Sequence, residues 1–500
     1  MTNTSRGKFG GARLAIALCA ASLALAACAP QASPTPPPTQ PSTGTRATMD
    51  ALMTDTAPPS PTPVDETAVR DWLNQNNFPI TSYDFNAPTE DLRFLDQLVA
   101  DKQVVLLGDA TYGTHEFLST KARIARYLIE NHGYRNIILE ASWGQTQVIN
   151  DQLLSGNGNL YQALLDHGGF WLANQEFLGL LEWIRSFNRT HPGEKVMLQG
   201  YDLQDADILI NNILEFVDTV LPEQGEKYYD TLLCAWSDNL LDKPVDLLEA
   251  CHMDIQAISL QFAQEGQELA LATHRARARE LEKELELISS HVEVFIQGTI
   301  SDDEAGSFLL QQNAENAIWL VDHNSPAGNS IIWAHNQEAA YTGLGIGVFL
   351  RDYFGPERLV NIGFAYSNGR FLAADGYGLA PGLSEYEYSG SLDRFYEAFL
   401  ALADAPGYFL ELGNASPDQA GAAWLFEEHL MQYANWYAHW DYLDRPSVMI
   451  GILDNYDGLI YIEDTTPAWE FSEWMNGPNA FATPDKFRES VAKPLLKLPA

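Results

Sequence analysis

The chain has 500 residues, 67 of them acidic and 29 basic, for a formal net charge of −38. So acidic a surface repels nucleic acid and anionic lipid head groups, which excludes both as partners. Hydrophobic residues make up 46% of the chain, which excludes a wholly disordered protein and leaves one large domain with insertions or two smaller domains.

The N-terminal segment comes first. Arg6, Lys8 and Arg13 stand before the apolar run LAIALCAASLALAA, Leu14 to Ala27. That run is too short to span a bilayer and reads, over residues 1–28, as a signal for export. It closes on LAAC, Leu25 to Cys28, which resembles the lipobox of bacterial lipoproteins. The resemblance implies Cys28 as a lipidated N-terminus, holding an exported, outward-facing protein on the bacterial cell membrane by the anchor alone. Plain cleavage with Cys28 incidental is the alternative. Residues 29–65 contain SPTPPPTQPSTG and APPSPTPVD. Proline at this density can neither donate ladder bonds nor continue helices, so the segment reads as a disordered, extended spacer.

Residues 66–205 read as the first part of an α/β domain. VVLLGD, NIILEAS and VMLQGYD are near-continuous apolar runs that lead to Asp109, Glu140 and Asp202, and SIIWAHN further on leads to His335 and Asn336. Continuous rather than alternating runs suit parallel strands covered on both faces. Helical spacing separates them. EFLSTKARIARYLIENHGY sets Phe117, Ile124, Tyr127 and Leu128 at helical intervals and stops at Gly133, and NQEFLGLLEWIRSFN repeats the pattern. The alternation predicts a three-layer α/β fold, a mainly parallel sheet with helices on both faces.

Residues 206–328 carry no strand signal. LATHRARARELEKELELISSHVEVF is helical in spacing and dense in charge, so the region reads as a helical insertion, for which plain helical packing is the simpler reading and a lid over the site the other. It holds Cys234 and Cys251, an even pair in an exported chain, which are expected to form a disulfide. The second part of the domain, 329–468, adds the strand candidates RLVNIGFAYS, GYFLELG and DGLIYIED. Its aromatic stretch WLFEEHLMQYANWYAHWDY is read as helical, with the same capacity to form a lid, and residues 469–500 as a C-terminal tail.

Ligands of parallel α/β sheets gather at the carboxyl ends of the strands. Asp109, Glu140, Asp202 and His335 therefore converge, with His115 and Glu116 opening the first helix. A strand-terminal acid on its own is more often a helix cap than a catalyst. A carboxylate and an imidazole in one cleft are the minimum for general-base activation of water. The chain has no G-x-S-x-G, no P-loop and no H-E-x-x-H, and GLGIGVF (Gly343 to Phe349) lacks the last glycine of a dinucleotide fingerprint. No cofactor and no metal are expected; binding of a metal or haem through His115, Glu140 and His335 is a minor alternative.

The same residues resemble the erythromycin esterase family. LLGDATYGTHEF matches the family's G-E-x-T-H-G-x-x-E-F pattern. KARIARYLIENHGYRNIILEA, ANQEFLGLLEWIRSFN, LQGYDLQ, ENAIWL, IIWAHNQE, NIGFAYSNGRF and YDGLIYIEDTTPA follow, so that the likeness spans roughly Leu92 to Ala468. It implies a metal-independent hydrolase of a carboxylic ester, such as a macrolactone, in which a histidine with nearby acids activates water. By position, Asp109 replaces the family's glutamate of G-E, Tyr112 the general-base histidine of T-H-G, and Lys121 the helix arginine. Glu140 falls on the strand-end glutamate, His335 on the histidine of A-H-N, and Glu338 on the second histidine of A-H-N-x-H.

A tyrosine, with a pKa near 10, is a poor base at neutral pH but a good donor to an oxyanion. Lysine keeps the charge of arginine without its bidentate fork. The expected catalytic set is therefore His335 as base, oriented by Glu140 or Glu338, with Tyr112 and Asp109 beside it. Alternatively His115 swings into the space left by the family histidine. Lys121, Glu116, Asp202, Asn336 and Glu338 are expected to bind a small-molecule ester. A catalytically altered pocket that retains its ligand without turnover is the rival reading on the same scaffold.

Overall fold

Each strand candidate picked out above folds as a strand. In chain order the strands are β1 (Asn77–Pro79), β2 (Val104–Leu107), β3 (Tyr134–Ser142), β4 (Met197–Asp202), β5 (Asn329–Trp333) and β6 (Leu359–Ala374). They continue with β7 (Leu383–Tyr388), β8 (Gly407–Glu411), β9 (His429–Gln432), β10 (Ser447–Ile450) and β11 (Gly458–Thr465). The computed structural model describes residues 65–471, apart from 204–205, 241–242, 270–274, 325–327, 375–382, 389–394 and 434–446. The expected export signal with Cys28, nearly all of the spacer and residues 472–500 of the tail lie outside the described residues.

Nine strands form one sheet in the order β1-β8-β11-β6-β2-β5-β3-β4, with β7 paired to β6. The path from β11 to β4 is parallel throughout, and β1, β8 and β7 add antiparallel edges. Side chains leave the central strands alternately to two cores. Val105, Leu107, Ile331 and Trp333 enter one, while Val104, Leu106, Ile332 and Ala334 enter the other. A strand with both faces covered must be apolar at every position, and all four residues of β2 are 0% exposed. Truncating one of them, Leu106→Ala, is worth about 2–5 kcal/mol.

The first core is roofed by α1 (His115–His132) and by a helix at Gln175–Thr190, with α2 (Trp143–Leu154) between them in the chain; the later helix is α3. Helix α1 ends where Gly133 adopts a left-handed φ of 71° and returns its N–H to the carbonyl of Leu128. The second core is roofed by α4 (Asp207–Val220), α5 (Val245–Leu269), α6 (Arg275–Gly298) and α7 (Asp302–Asn324). It also takes in α9 (Gly347–Arg358), which follows the short α8 (Asn336–Ala339).

The three-layer α/β architecture is thus the one expected, and the region 206–328 is helical among its described residues. Its role differs from a lid. Ile210, Leu285, Ile288, Ala317 and Leu320 are buried in one core with Val104, Leu106 and Ile332 of the sheet, so these helices belong to the second covering layer of the fold. Cys234 and Cys251 are joined, their Cα atoms 5.9 Å apart, stapling the turn Leu233–Ala235 to α5.

Two expectations are corrected. The stretch read as helical near Trp424 contains instead a 3₁₀ turn, Ala423–Phe426, and β9, which pairs antiparallel with β10; residues 434–446 of it lie outside the described residues. The tail does not begin at 469. Gln175 N–H donates to Trp469 O at 2.8 Å and Phe471 N–H to Ala173 O at 3.2 Å, so residues 466–471 form a strap bound to the domain.

Candidate active site

β2, β5 and β3 lie side by side, and their carboxyl ends bring Asp109, His335 and Glu140 together as the strand-end rule predicts. The approach is close. A Cβ on Gly108 would fall 2.2 Å from Asn336 Oδ1, so only glycine lets β2 turn here against α8.

Glu140 is the hub. Its Oε1 accepts the Tyr112 hydroxyl at 2.7 Å, and its Oε2 accepts the main-chain N–H of His335 at 2.8 Å. Both bonds favour the carboxylate. Burial nevertheless pushes Glu140 well above the usual glutamate range, and the negative charge of Glu338 adds to the rise. Glu338 is itself raised to about 7, by burial and then by Asp202. Asp202 accepts a hydrogen bond from Asn313 at 2.9 Å. Tyr112 is pushed well above 10 by burial and by Glu140, so it is protonated at any ordinary pH and acts as a donor.

His335 stacks on the Tyr112 ring at 4.8 Å and meets Tyr433 edge-on at 5.8 Å. Its Nδ1 accepts the N–H of Gln337 at 3.2 Å, capping α8. Glu140 holds His335 through its main-chain N–H.

The Lys121 ammonium is 0% exposed, 2.6 Å from Asp109 Oδ2, 3.0 Å from the carbonyl of Ala334 and 4.5 Å over the Trp333 ring. It faces inward as the counterion of Asp109. Burial lifts Asp109 to about 6 and pulls Lys121 down, while each partner opposes the shift of the other.

Three further expected site residues serve the fold. Asn336 clamps β6, donating to Phe364 O at 2.7 Å and accepting from Phe364 N at 3.0 Å. Glu116 accepts both the N–H and the hydroxyl of Thr466 at 2.7 Å. His115 bonds Glu176 at 2.6 Å through Nδ1 and stacks on Trp469 at 4.3 Å, so it is held away from the Tyr112–Glu140 pair. Among the described residues no three His, Cys, Asp or Glu side chains are placed to hold a metal ion, and the suggested trio of His115, Glu140 and His335 is not one.

Asp109, Tyr112 and Glu140 line a pocket closed by Trp171, Trp333, Leu118, Leu139 and Leu172, with about 10 Å³ open to a water's centre. That is room for one water molecule. Asp109 Oδ1 has no hydrogen-bond partner there. The wall residues Trp171 and Leu172 were not anticipated. The one signal for them is the aromatic pair in GGFWLANQEF directly before the N-cap of α3.

The sequence profile described as erythromycin esterase matches residues 129–465. The chain is 23% identical over 440 residues to YbfO of Bacillus subtilis, a protein named as a hydrolase, covering 79% of this chain and 91% of that one. It is 22% identical over 134 residues to the erythromycin esterase type II of Escherichia coli, covering 27% of this chain and 31% of that one. Among solved structures it resembles a Bacillus cereus protein with a TM-score of 0.73 at 22% identity, covering 82% of this chain and all (100%) of that one. An erythromycin esterase mutant in its open conformation superposes with a TM-score of 0.58 at 17% identity, covering 77% of this chain and 96% of that one. At these identities the superpositions establish the fold.

Proposed function

The chain belongs to the erythromycin esterase family, a family of hydrolases, and from that premise we propose that it hydrolyses a carboxylic ester of a small molecule with Glu140 as general base. The observation that carries this reading is the Tyr112–Glu140 pair at 2.7 Å on the wall of a pocket sized for one water. A carboxylate whose pKa is raised by burial is a stronger base than an ordinary one, and the two hydrogen bonds that Glu140 accepts favour its charged form.

In the proposed reaction Glu140 takes a proton as the water oxygen bonds to the ester carbonyl carbon. Protonated Glu140 is a weaker acceptor, which frees the Tyr112 hydroxyl to donate to the oxyanion forming beside it. The intermediate then expels the alkoxide, which recovers the proton from Glu140. The products are an acid and an alcohol, and no other reactant is consumed. A macrolactone is one candidate ester, and fold alone does not select it.

Glu140→Gln tests the assignment. It keeps the shape and accepts one hydrogen bond but cannot take a proton, so kcat for any aryl ester or macrolactone that the parent turns over should fall by about 10²–10⁴. Turnover unchanged in Glu140→Gln would refute the role. The rival reading, a pocket that retains a ligand without turnover, is favoured by Tyr112 standing where the family carries its histidine. The lipobox-like Leu25 to Cys28 supports a further proposal, that the protein works outside the cell on a lipid anchor. No helix among the described residues is long and apolar enough to cross a membrane. Palmitate labelling lost in Cys28→Ala is the expected result.

A further inference from the structure

Glu176, which the proposed reaction does not use, sits where three segments meet. It lies in the first turn of α3, is 3% exposed, and receives both His115 Nδ1 at 2.6 Å and the N–H of Trp469 at 3.0 Å. The strap 466–471 runs between the two loops that carry the pocket walls. On one side Ala468 N–H donates to Gly113 O at 2.9 Å and His115 N–H to Thr466 O at 2.9 Å, fixing the loop of Tyr112. On the other, Gln175 N–H donates to Trp469 O and Phe471 N–H to Ala173 O, fixing the segment that follows Trp171 and Leu172.

We infer that Glu176 is a positioning residue: through His115 and the strap it holds the Tyr112 loop and the Trp171 wall in register across the pocket. The inference rests on the proposed reaction for its consequence and on this geometry for its mechanism. Each wall alone hangs on a loop. Glu176 contacts both α1, at His115, and the strap, at Trp469, whose ring covers the His115 imidazole at 4.3 Å. Burial lowers the basicity of His115, but Glu176, Glu116 and Asp84 outweigh it and raise the imidazole above its ordinary value. The contact to Glu176 thereby gains the character of a charge-assisted bond. A displacement of about 1 Å at Tyr112 is enough to cost catalysis without touching ligand affinity.

The test is hydrogen–deuterium exchange on the full chain, compared for the parent, Glu176→Ala and Glu176→Gln. In Glu176→Ala, peptides covering 108–116 and 169–176 should exchange together about tenfold faster, the scale of one lost charge-assisted bond, while β3 and α6 stay as in the parent. Glu176→Gln keeps an oxygen for the Trp469 N–H and should fall between the two. For an ester that the parent hydrolyses, kcat should drop about tenfold in Glu176→Ala with KM within about twofold. Faster exchange confined to 169–176, or spread evenly over the chain, overturns the inference, as does an unchanged kcat with both loops loosened. If the parent hydrolyses no ester offered, that failure belongs to the proposed reaction, and the exchange pattern alone decides the role of Glu176.

Discussion

Lys121→Met removes a charge from the floor of the site while keeping the stem that carries it. The parent ammonium is fully buried, 2.6 Å from Asp109 Oδ2 and 3.0 Å from the carbonyl of Ala334. Methionine is flexible and of similar length, so packing is largely retained. Asp109 would then have a partner on neither oxygen, since Oδ1 has none in the parent. Breaking a buried pair from one side costs about 3–5 kcal/mol, far more than the pair contributes net.

The sign of the pH dependence follows from Asp109. Burial already raises it to about 6 against the lowering influence of Lys121, and without Lys121 it rises further. The folded state then holds a proton that the unfolded chain, with Asp near 3.9, has released. The penalty is small near pH 4 and grows as pH climbs through 6 and beyond. Urea unfolding should therefore show a larger deficit at pH 8 than at pH 5, and Asp109→Asn combined with Lys121→Met should recover most of it. An equal deficit at both pH values would refute the reasoning and assign the loss to packing.

Two more predictions follow from neighbouring acids. Glu338 raises Glu140, so Glu338→Gln should move the acid limb of the pH–rate profile to lower pH, measured as kcat/KM across pH 4 to 9; an unmoved limb would separate that limb from Glu140. Glu470 is 4% exposed with neither carboxylate oxygen partnered, and burial, then Glu176, pushes it well above the ordinary range. The folded state thus gives up stability as pH rises above the unfolded value near 4.3, with a slope of up to about 1.4 kcal/mol per pH unit. Glu470→Gln should match the parent at pH 4 and be the more stable protein at pH 7 in thermal unfolding.

The sequence disclosed the sheet because parallel strands buried on both faces are apolar without interruption, and it disclosed the site because those strands end on Asp109, Glu140 and His335. It did not disclose which way a side chain turns. Lys121 and His115 lie on one helix, yet one faces Asp109 beneath the pocket and the other faces Glu176 and Trp469. Helical spacing is silent on that, because the partners lie outside the helix: Asp109 after β2, Glu176 in α3 and Trp469 in the strap. Asn336 read as a ligand for the same reason; its true partner, Phe364, is on a neighbouring strand. Helical periodicity also cannot distinguish a lid from a layer, and the described residues of 206–328 pack as the layer. The aromatic stretch around β9 misled because its rings fall at helical intervals, whereas pairing with β10 decides its conformation.

Tyr112 remains the decisive position, because the family pattern carries a histidine there. Burial comes first in raising Tyr112, followed by Glu140, Asp109 and Glu338; at a histidine the three acids favour the imidazolium and burial opposes it, and where the acids prevail the ring is a cation. A cation beside Glu140 lowers the glutamate. If Glu140 is the base, Tyr112→His keeps turnover within about tenfold of the parent, since one donor replaces another, and shifts the acid limb to lower pH. If the parent is inert and Tyr112→His gains turnover only above the pKa of its imidazole, Glu140 does not suffice as a base. The Tyr112–Glu140 bond then marks a pocket that has kept its shape and given up its proton acceptor, and the ligand-retaining reading replaces hydrolysis.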